Sequence, residues 1–392
     1  MRLNESFLRL PDADPTALLA KKAEDFQFAN PDTVMIRLDC EDDPRSPVEP
    51  SLAAQKEAAE QILRDPALNR LPPRQGYPFL IEAIRSRYQK LGVTLSESEI
   101  FINDGAKCDI TGLTELLDDD NTVLIAQPFN PIYYNSNLTS GRVVRFADPG
   151  PAGAPPLPDR GRADVIYLSN PMNPTGDVYS AQELKVWVDY ALINEALIIF
   201  DASYADFARS PGTVKSIYQI ENAAECAVEI RSLSKSAGFA NARLGYTVIP
   251  NRAIFDGQKL NRLWTNRQRV RFNGVNYITQ YAAAAVFSDE GQAAVKARCD
   301  SYLENARILS APLIRAGLTK EAQINAPYVW FDCPGGMSSW EFLDVMLKKC
   351  AVTALPGSIF GPLGEGRMKL SAYESRENAI IAAQRLEALR DD

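Results

Sequence analysis

Between residues 99 and 249 short apolar runs at 99–103, 122–126, 143–146, 164–169, 196–201, 228–233 and 245–249 alternate with stretches of helical periodicity such as 182–193. Strands that alternate with helices fold as an α/β unit around a mostly parallel sheet. In such sheets the functional groups gather where strands end and helices begin. The flanks carry other signals. Residues 1–15 form an irregular arm, and helices are expected over 15–28, 50–64 and 77–91, with a short strand at 34–38 ahead of the acidic stretch DCEDDPRSP. The Pro-rich segment 149–162 is a surface loop between strands. Helical patterns return over 275–318, and an α+β tail follows with strands at 328–332, 352–355 and 368–372.

Composition limits what such a fold can do. The chain has 392 residues, 46% of them hydrophobic, enough for two or three domains or one large domain with a satellite. Its 42 Lys and Arg against 50 Asp and Glu leave a net charge of −8, which disfavours a nucleic-acid partner. Histidine is absent. Every mechanism that needs imidazole is therefore excluded, from Ser-His-Asp triads to His-ligated zinc, and Lys, Tyr, Asp, Glu or a cofactor must move the protons. Cys40, Cys108, Cys226, Cys299, Cys333 and Cys350 form no CxxC pair, so neither a metal site nor a disulfide framework is expected. The N-terminus lacks the apolar core of a signal peptide, and no apolar run approaches the ~18 residues of a membrane span. A soluble cytoplasmic protein is the expectation.

Four short features sit at the ends of predicted strands. Asp104-Gly105-Ala106-Lys107 opens a helix, whose free backbone N–H groups suit an anion. Asn170-Pro171-Met172-Asn173-Pro174-Thr175-Gly176 is a rigid turn that holds the Asn173 amide. Asp201 ends an apolar strand with Tyr204 three residues on, and a carboxylate delivered there needs a cation or a donor. Lys235 follows another apolar strand among Ser232, Ser234, Ser236 and Gly238, with Arg243 eight residues later. Taken singly, each has an ordinary explanation as a capped helix, a turn or a solvated lysine. Together they meet the needs of an aldehyde cofactor with a phosphate and a pyridine nitrogen: a lysine for the Schiff base, a carboxylate for the pyridinium, and donors for the ring oxygen and the phosphate.

The stretches NDGAKCDI, NPMNPTG, WVDYA, FDASY, SIYQIENAAECAVEIRSLSKSAGF, RLGYTVIP, RFNGVNYITQ, NAPYVW, GMSSWEF, PGSIFGPLGEG and LSAYESREN make the chain resemble the fold type I pyridoxal-phosphate aminotransferases, and within them the LL-diaminopimelate aminotransferase family. The resemblance implies a large α/β cofactor domain over 48–285 with a mostly parallel seven-stranded sheet. It implies a small α+β domain from both chain ends, 1–47 and 286–392, and a homodimer with shared active sites. It also implies pyridoxal 5'-phosphate as cofactor. Lys235 would be the Schiff-base lysine and proton shuttle, and Asp201 the partner of the pyridinium. Asn173 and Tyr204 would bond the ring oxygen. Gly105, Ala106, Lys107, Ser232, Ser234 and Arg243 would surround the phosphate, and Asn273 would reach across from the other subunit.

The departures fall on the substrate side. Lys369 in EGRMKLSAY stands where the family clamps the substrate α-carboxylate with arginine, losing the bidentate fork. Arg367, two residues away on the same strand face, could compensate. Leu71 and Arg74 replace a tyrosine donor and a substrate-facing carboxylate. Asn130 aligns with the aromatic that stacks on the cofactor ring, and Phe129 takes that place if the loop shifts by one. Asp39, Glu41 and Asp42 crowd a turn that the family keeps open with glycine, and Asp14 replaces a tyrosine of the arm. Neutral drift would give such changes, as would a changed substrate, an amino acid with a cationic group such as a guanidinium or sulfonium. The resulting expectation is a repurposed enzyme of specialised metabolism, running elimination, replacement or cyclisation at Cβ or Cγ on an arginine-like substrate or S-adenosylmethionine. An ordinary aminotransferase, for LL-diaminopimelate or another amino acid with 2-oxoglutarate, is the alternative, and a non-catalytic binding protein a third reading.

Overall fold

The computed structural model describes residues 1–10, 14–320 and 323–391. Its centre is a seven-stranded sheet made of β1 (Ile100–Asn103), β2 (Thr122–Ala126), β3 (Val143–Ala147), β4 (Val165–Ser169), β5 (Leu197–Asp201), β6 (Ala227–Ser232) and β7 (Gly245–Val248). The order across the sheet is β1-β7-β6-β5-β4-β2-β3. Only β7 runs antiparallel to its neighbours; the pairings among β6, β5, β4, β2 and β3 are parallel. The expected strand positions and the α/β class agree with this to within a residue or two at each end.

The apolar runs are continuous rather than alternating because helices cover the sheet on both faces. Leu124, Ile166, Ile198 and Phe200 pack on one side with Trp187 and Leu184 of the helix Ala181–Asn194. Val123, Ile125, Tyr167, Ile199 and Ile230 pack on the other with Ile110 and Trp264. Successive residues of a strand point to opposite faces, so a single run feeds both layers.

A second core joins the two chain ends. Leu19, Ile36 and Leu38 pack with residues from 306 to 389, among them Phe331, Phe342, Met346 and Leu370. Here β8 (Tyr328–Asp332), β9 (Leu355–Pro356) and β10 (Arg367–Ser371) form an antiparallel sheet in the order β8-β10-β9. Two expected strands are shorter than their apolar runs. The run at 34–38 reduces to Ile36–Arg37, which pairs in parallel with Val352–Thr353. The run at 352–355 divides because Val352–Thr353 faces Ile36–Arg37 whereas Leu355–Pro356 faces Lys369 and Met368. Pro356 has no N–H to carry that ladder further.

Phe200, 2% exposed on the central strand, tests the two-faced core. Phe200→Ala is expected to cost about 3–5 kcal/mol, read as a lowered urea midpoint, because the rigid layers on either side cannot close over the lost ring.

Candidate functional site

A cavity of about 1230 Å³ opens at the carboxyl ends of the parallel strands, where every neighbouring loop leaves the sheet. At one end Gly105, in the φ = +122° conformation that only glycine adopts without strain, begins the helix Ala106–Leu113. A Cβ there would meet Arg243 Nη2 at 2.3 Å, so glycine also makes room for the guanidinium. The amides of Ala106 and Lys107 belong to the first helical turn and have no partner within it. Ser234 N–H donates to Ser232 Oγ at 3.2 Å, and the Ser234 hydroxyl donates to the Phe239 carbonyl at 3.4 Å. Ala106, Lys107, Ser232, Ser234 and Arg243 thereby line this end of the cavity, with Gly105 against the Arg243 guanidinium.

Behind this end lies a buried polar brace. Asn103 Oδ1 accepts from Gly105 N–H at 2.9 Å, and Asn103 Nδ2 donates to Asp109 Oδ2 at 2.7 Å. Thr247 donates to the same carboxylate oxygen at 2.6 Å. Burial drives the Asp109 carboxyl up to about 6, against the pull of the Thr247 and Asn103 donors.

Deeper in the cavity Asp201 is delivered by the end of β5 and is 7% exposed. Ser203 N–H and hydroxyl donate to its Oδ1 at 2.9 and 2.5 Å, and Tyr133 OH donates to Oδ2 at 2.6 Å. Burial, followed by the Asp201 charge, raises the Tyr133 phenol far above its usual value, so it remains a donor. Tyr204 lines the same wall, and burial with the nearby Glu41 charge likewise holds its phenol protonated. Asn173 is fixed by the turn after β4, whose Asn170 Oδ1 accepts from Tyr179 N–H at 3.0 Å and whose Met172 carbonyl accepts from Tyr328 OH at 2.7 Å. The Lys235 ammonium donates to the Glu41 carbonyl at 2.7 Å and lies 3.1 Å from Asp42 Oδ1.

The remaining wall is the acidic turn. Asp43 anchors it: Tyr302 OH donates to Oδ1, Arg298 Nη1 lies 3.0 Å from Oδ2, and the Arg45 guanidinium covers the Tyr302 ring at 3.9 Å. Glu41 then reaches into the cavity and pairs with Lys369 on β10. Lys369 is wholly buried; it also donates to Asn173 Oδ1 at 2.7 Å and sits 4.1 and 4.9 Å from the ring centres of Tyr328 and Phe360. Burial pushes the Glu41 carboxyl up, but the Lys369 and Lys235 charges outweigh it and the net shift is downward.

Not every residue singled out in the sequence reaches this cavity. Asp39 turns away and binds Arg37 at 2.6 Å, with Thr353 donating to it as well. Arg367 pairs with Asp332 at 3.1 Å instead of joining Lys369. Asp14 lines the mouth but caps the helix Pro15–Ala29, accepting from Thr16 N–H at 3.0 Å. Asn130 caps the helix Pro131–Thr139, whereas Phe129 is buried against Phe146 with ring centres 5.3 Å apart; both line the cavity. Leu71, Arg74 and Asn273 are exposed and lie outside the cavity lining. Their loops meet: a Cβ on Gly274 would come within 2.8 Å of the Pro73 carbonyl. Sequence reasoning missed Tyr133, Ser203 and Arg9, which only the folded chain brings to the cavity or to Asp201.

The family model described as "Aminotransferase class I and II" matches residues 40–386. The chain belongs to the class I and II aminotransferase family. It is 41% identical over 404 aligned residues to the LL-diaminopimelate aminotransferase of Bacteroides fragilis strain YCH46, covering 98% of each chain. It is 38% identical to that of Methanosphaera stadtmanae, covering 99% of each. The structure of L,L-diaminopimelate aminotransferase from Chlamydomonas reinhardtii superposes with a TM-score of 0.90 at 31% identity over 98% of both chains. A Thermus thermophilus aspartate aminotransferase superposes at 0.86 and 20% identity, a likeness of fold.

This member of the family therefore has the fold type I architecture and is a pyridoxal-phosphate-dependent enzyme. The residues present fit the cofactor: a glycine-floored anion cradle, a buried carboxylate held by donors, a protonated phenol and a lysine converge on one cavity. When bound, pyridoxal phosphate supplies an aldehyde and an electron-withdrawing ring. Among the described residues no helix is long and apolar enough to cross a membrane, and no group of three or more His, Cys, Asp or Glu could hold a metal ion.

Asp109 gives the cradle a pH signature. Its folded pKa of about 6 lies above the ordinary value of 3.8, so its contribution to stability is full below that value and is lost as pH rises through 6. In Asp109→Asn, urea unfolding measured from pH 4 to 7 is expected to lose that part of the pH dependence.

Proposed function

We propose that this chain kept the cofactor machinery of its family and changed its substrate, acting on an amino acid with a cationic group, arginine-like or S-adenosylmethionine, in specialised metabolism. The observation that carries this reading is the Glu41–Lys369 pair. A lysine is already a poorer partner than arginine for a planar carboxylate, and here its charge is met by the protein's own glutamate. An ordinary aminotransferase must admit two carboxylates in turn, that of the amino donor and that of the keto-acid acceptor. The keto acid must meet that obstacle a second time, which favours elimination, replacement or cyclisation at Cβ or Cγ of a single amino acid over amino transfer.

In this reading Lys235 holds the aldehyde carbon and moves the proton at the substrate Cα. Asp201, held by Tyr133 and Ser203, keeps a proton on the pyridine nitrogen. Tyr204 and Asn173 bond the ring oxygen, and Gly105 to Lys107 with Ser232, Ser234 and Arg243 hold the phosphate. Asp42 and Asp14 favour a cation at the mouth. The contact between the Pro72-Pro73 loop and Gly274 supports a homodimer with shared sites, because it joins the loops of Leu71, Arg74 and Asn273, which are exposed and outside this chain's own cavity lining. The division into a cofactor domain at 48–285 and a small domain from both ends, and a cytoplasmic setting, belong to the same reading. The core that joins residues 19–38 to 306–389 supports that division.

The second reading, ordinary transamination of LL-diaminopimelate or another amino acid with 2-oxoglutarate, draws on the 38–41% identity to proteins of that name. Absorbance of the holoenzyme mixed with single amino substrates, without keto acid, separates the two. The panel is LL-diaminopimelate, glutamate, arginine, hydroxylated arginines and S-adenosylmethionine. Consumption of a cationic substrate with return of the original cofactor band is the expected outcome. Stoichiometric conversion to pyridoxamine phosphate by LL-diaminopimelate or glutamate would establish the second reading. Lys235→Ala is expected to abolish turnover in either case, by about 10⁴-fold or more.

A further inference from the structure

Lys235 is held at both ends. Its ammonium donates to the Glu41 carbonyl at 2.7 Å, and its own main-chain carbonyl accepts from Tyr373 OH at 2.7 Å. Among the described residues no other donor reaches that carbonyl. Tyr373 follows β10 by two residues and is 4% exposed. Burial raises its phenol far above the usual value, so the hydroxyl stays a donor. The next two residues are braced as well: the Ser236 hydroxyl donates to Asp206 Oδ2 at 2.7 Å, and the Ala237 carbonyl accepts from Val48 N–H at 3.1 Å.

Both holds on Lys235 trace to one face of the helix Asp289–Arg315. Arg298, Tyr302 and Asn305 are spaced four and three apart, which puts them on the same side of that helix. Arg298 and Tyr302 bind Asp43 and so fix the acidic turn that receives the ammonium. Asn305 Nδ2 donates to the Glu374 carbonyl at 2.7 Å and to that of Ala372 at 3.4 Å, clasping the backbone on either side of Tyr373. The Tyr302 and Tyr373 rings meet edge to face with centres 4.8 Å apart.

We propose that Tyr373 is a positioning residue for Lys235, acting together with the Asp43-anchored turn to aim the lysine at the aldehyde carbon of the cofactor. This rests on the reading above in which Lys235 bonds that carbon, and adds what directs it there. In that step Nζ, as the free amine, bonds the aldehyde carbon and gives its two hydrogens to the departing water oxygen. Lysine carries its amine on a flexible four-carbon stem, so a main chain free to rock spreads Nζ over many positions. Fixing the start of the stem removes that spread before the bond forms. Tyr373 is not part of the cavity lining, so its hydroxyl acts only through the lysine it holds.

The test compares two ligands of the full-length enzyme stripped of cofactor. Pyridoxal phosphate bonds the lysine, whereas pyridoxamine phosphate has no aldehyde and fills the same cavity without that bond. Tyr373→Phe removes only the hydroxyl. It is expected to weaken pyridoxal phosphate about fivefold, the worth of one buried hydrogen bond, and pyridoxamine phosphate by less than about twofold. An equal loss for both ligands would show a merely structural role and overturn the proposal, as would no loss for either. Tyr302→Phe loosens the acidic turn instead. Combined with Tyr373→Phe it is expected to weaken pyridoxal phosphate by less than the product of the two single effects. A simple product would overturn the joint action of tyrosine and turn. A lysine-bound cofactor band that persists in Lys235→Ala would instead remove the reading beneath both.

Discussion

Because helices cover both faces of the seven-stranded sheet, its inner strands must present apolar side chains in both directions. The parallel strands can then offer polar groups only at the edge formed by their carboxyl ends. Asn103, Asn173, Asp201, Ser232 and Lys235 all lie at or just beyond that edge. The cavity follows from this constraint: loops diverge from a shared edge, and each brings one part of a cofactor site without disturbing the core below. The polar braces behind it, Asn103–Asp109–Thr247 and Tyr133–Asp201–Ser203, satisfy groups that would be costly to bury alone.

The second constraint comes from the chain ends. Residues 36–43 leave a two-residue pairing with Val352–Thr353 and are pinned at Asp43 by the long helix Asp289–Arg315. The turn between these anchors cannot retreat from the cavity. Where glycine would leave an open floor, Glu41 sends a carboxylate toward a buried lysine that has no other anionic partner among the described residues. Burying a lone ammonium is far more costly than burying a paired one, so the glutamate and the lysine account for each other.

How legible this was differs from residue to residue. The strands of the large sheet were readable because a strand buried on both faces has an unbroken apolar run that ends where the strand ends. Lys235, Asp201, Asn173 and Arg243 were readable because each sits in a motif at such an end. Tyr133 was not: it is the third residue of the helix Pro131–Thr139, and nothing in the run NPIYYNSN distinguishes it from its neighbour Tyr134. Asp39 was misjudged because the run Asp39-Cys40-Glu41-Asp42 reads as one acidic patch. In the fold successive residues of that turn point apart, Asp39 to Arg37, Glu41 to Lys369 and Asp42 to Lys235. Arg367 shares a strand with Lys369, yet it lies at the strand's start and meets Asp332 across the ladder.

The sequence alone determined the fold class, the removal of imidazole chemistry and the cofactor, because hydrophobic periodicity and short motifs are local properties of the chain. Its departures from the family's motifs, at Glu41 and Lys369 among others, were legible there as well. Only the tertiary structure decided what those changes amount to, since Glu41 and Lys369 are separated by more than three hundred residues and an ion pair depends on distance in space. Opposite charges at that separation carry no signal in a one-dimensional pattern. They become one feature only when the two chain ends fold into the same core.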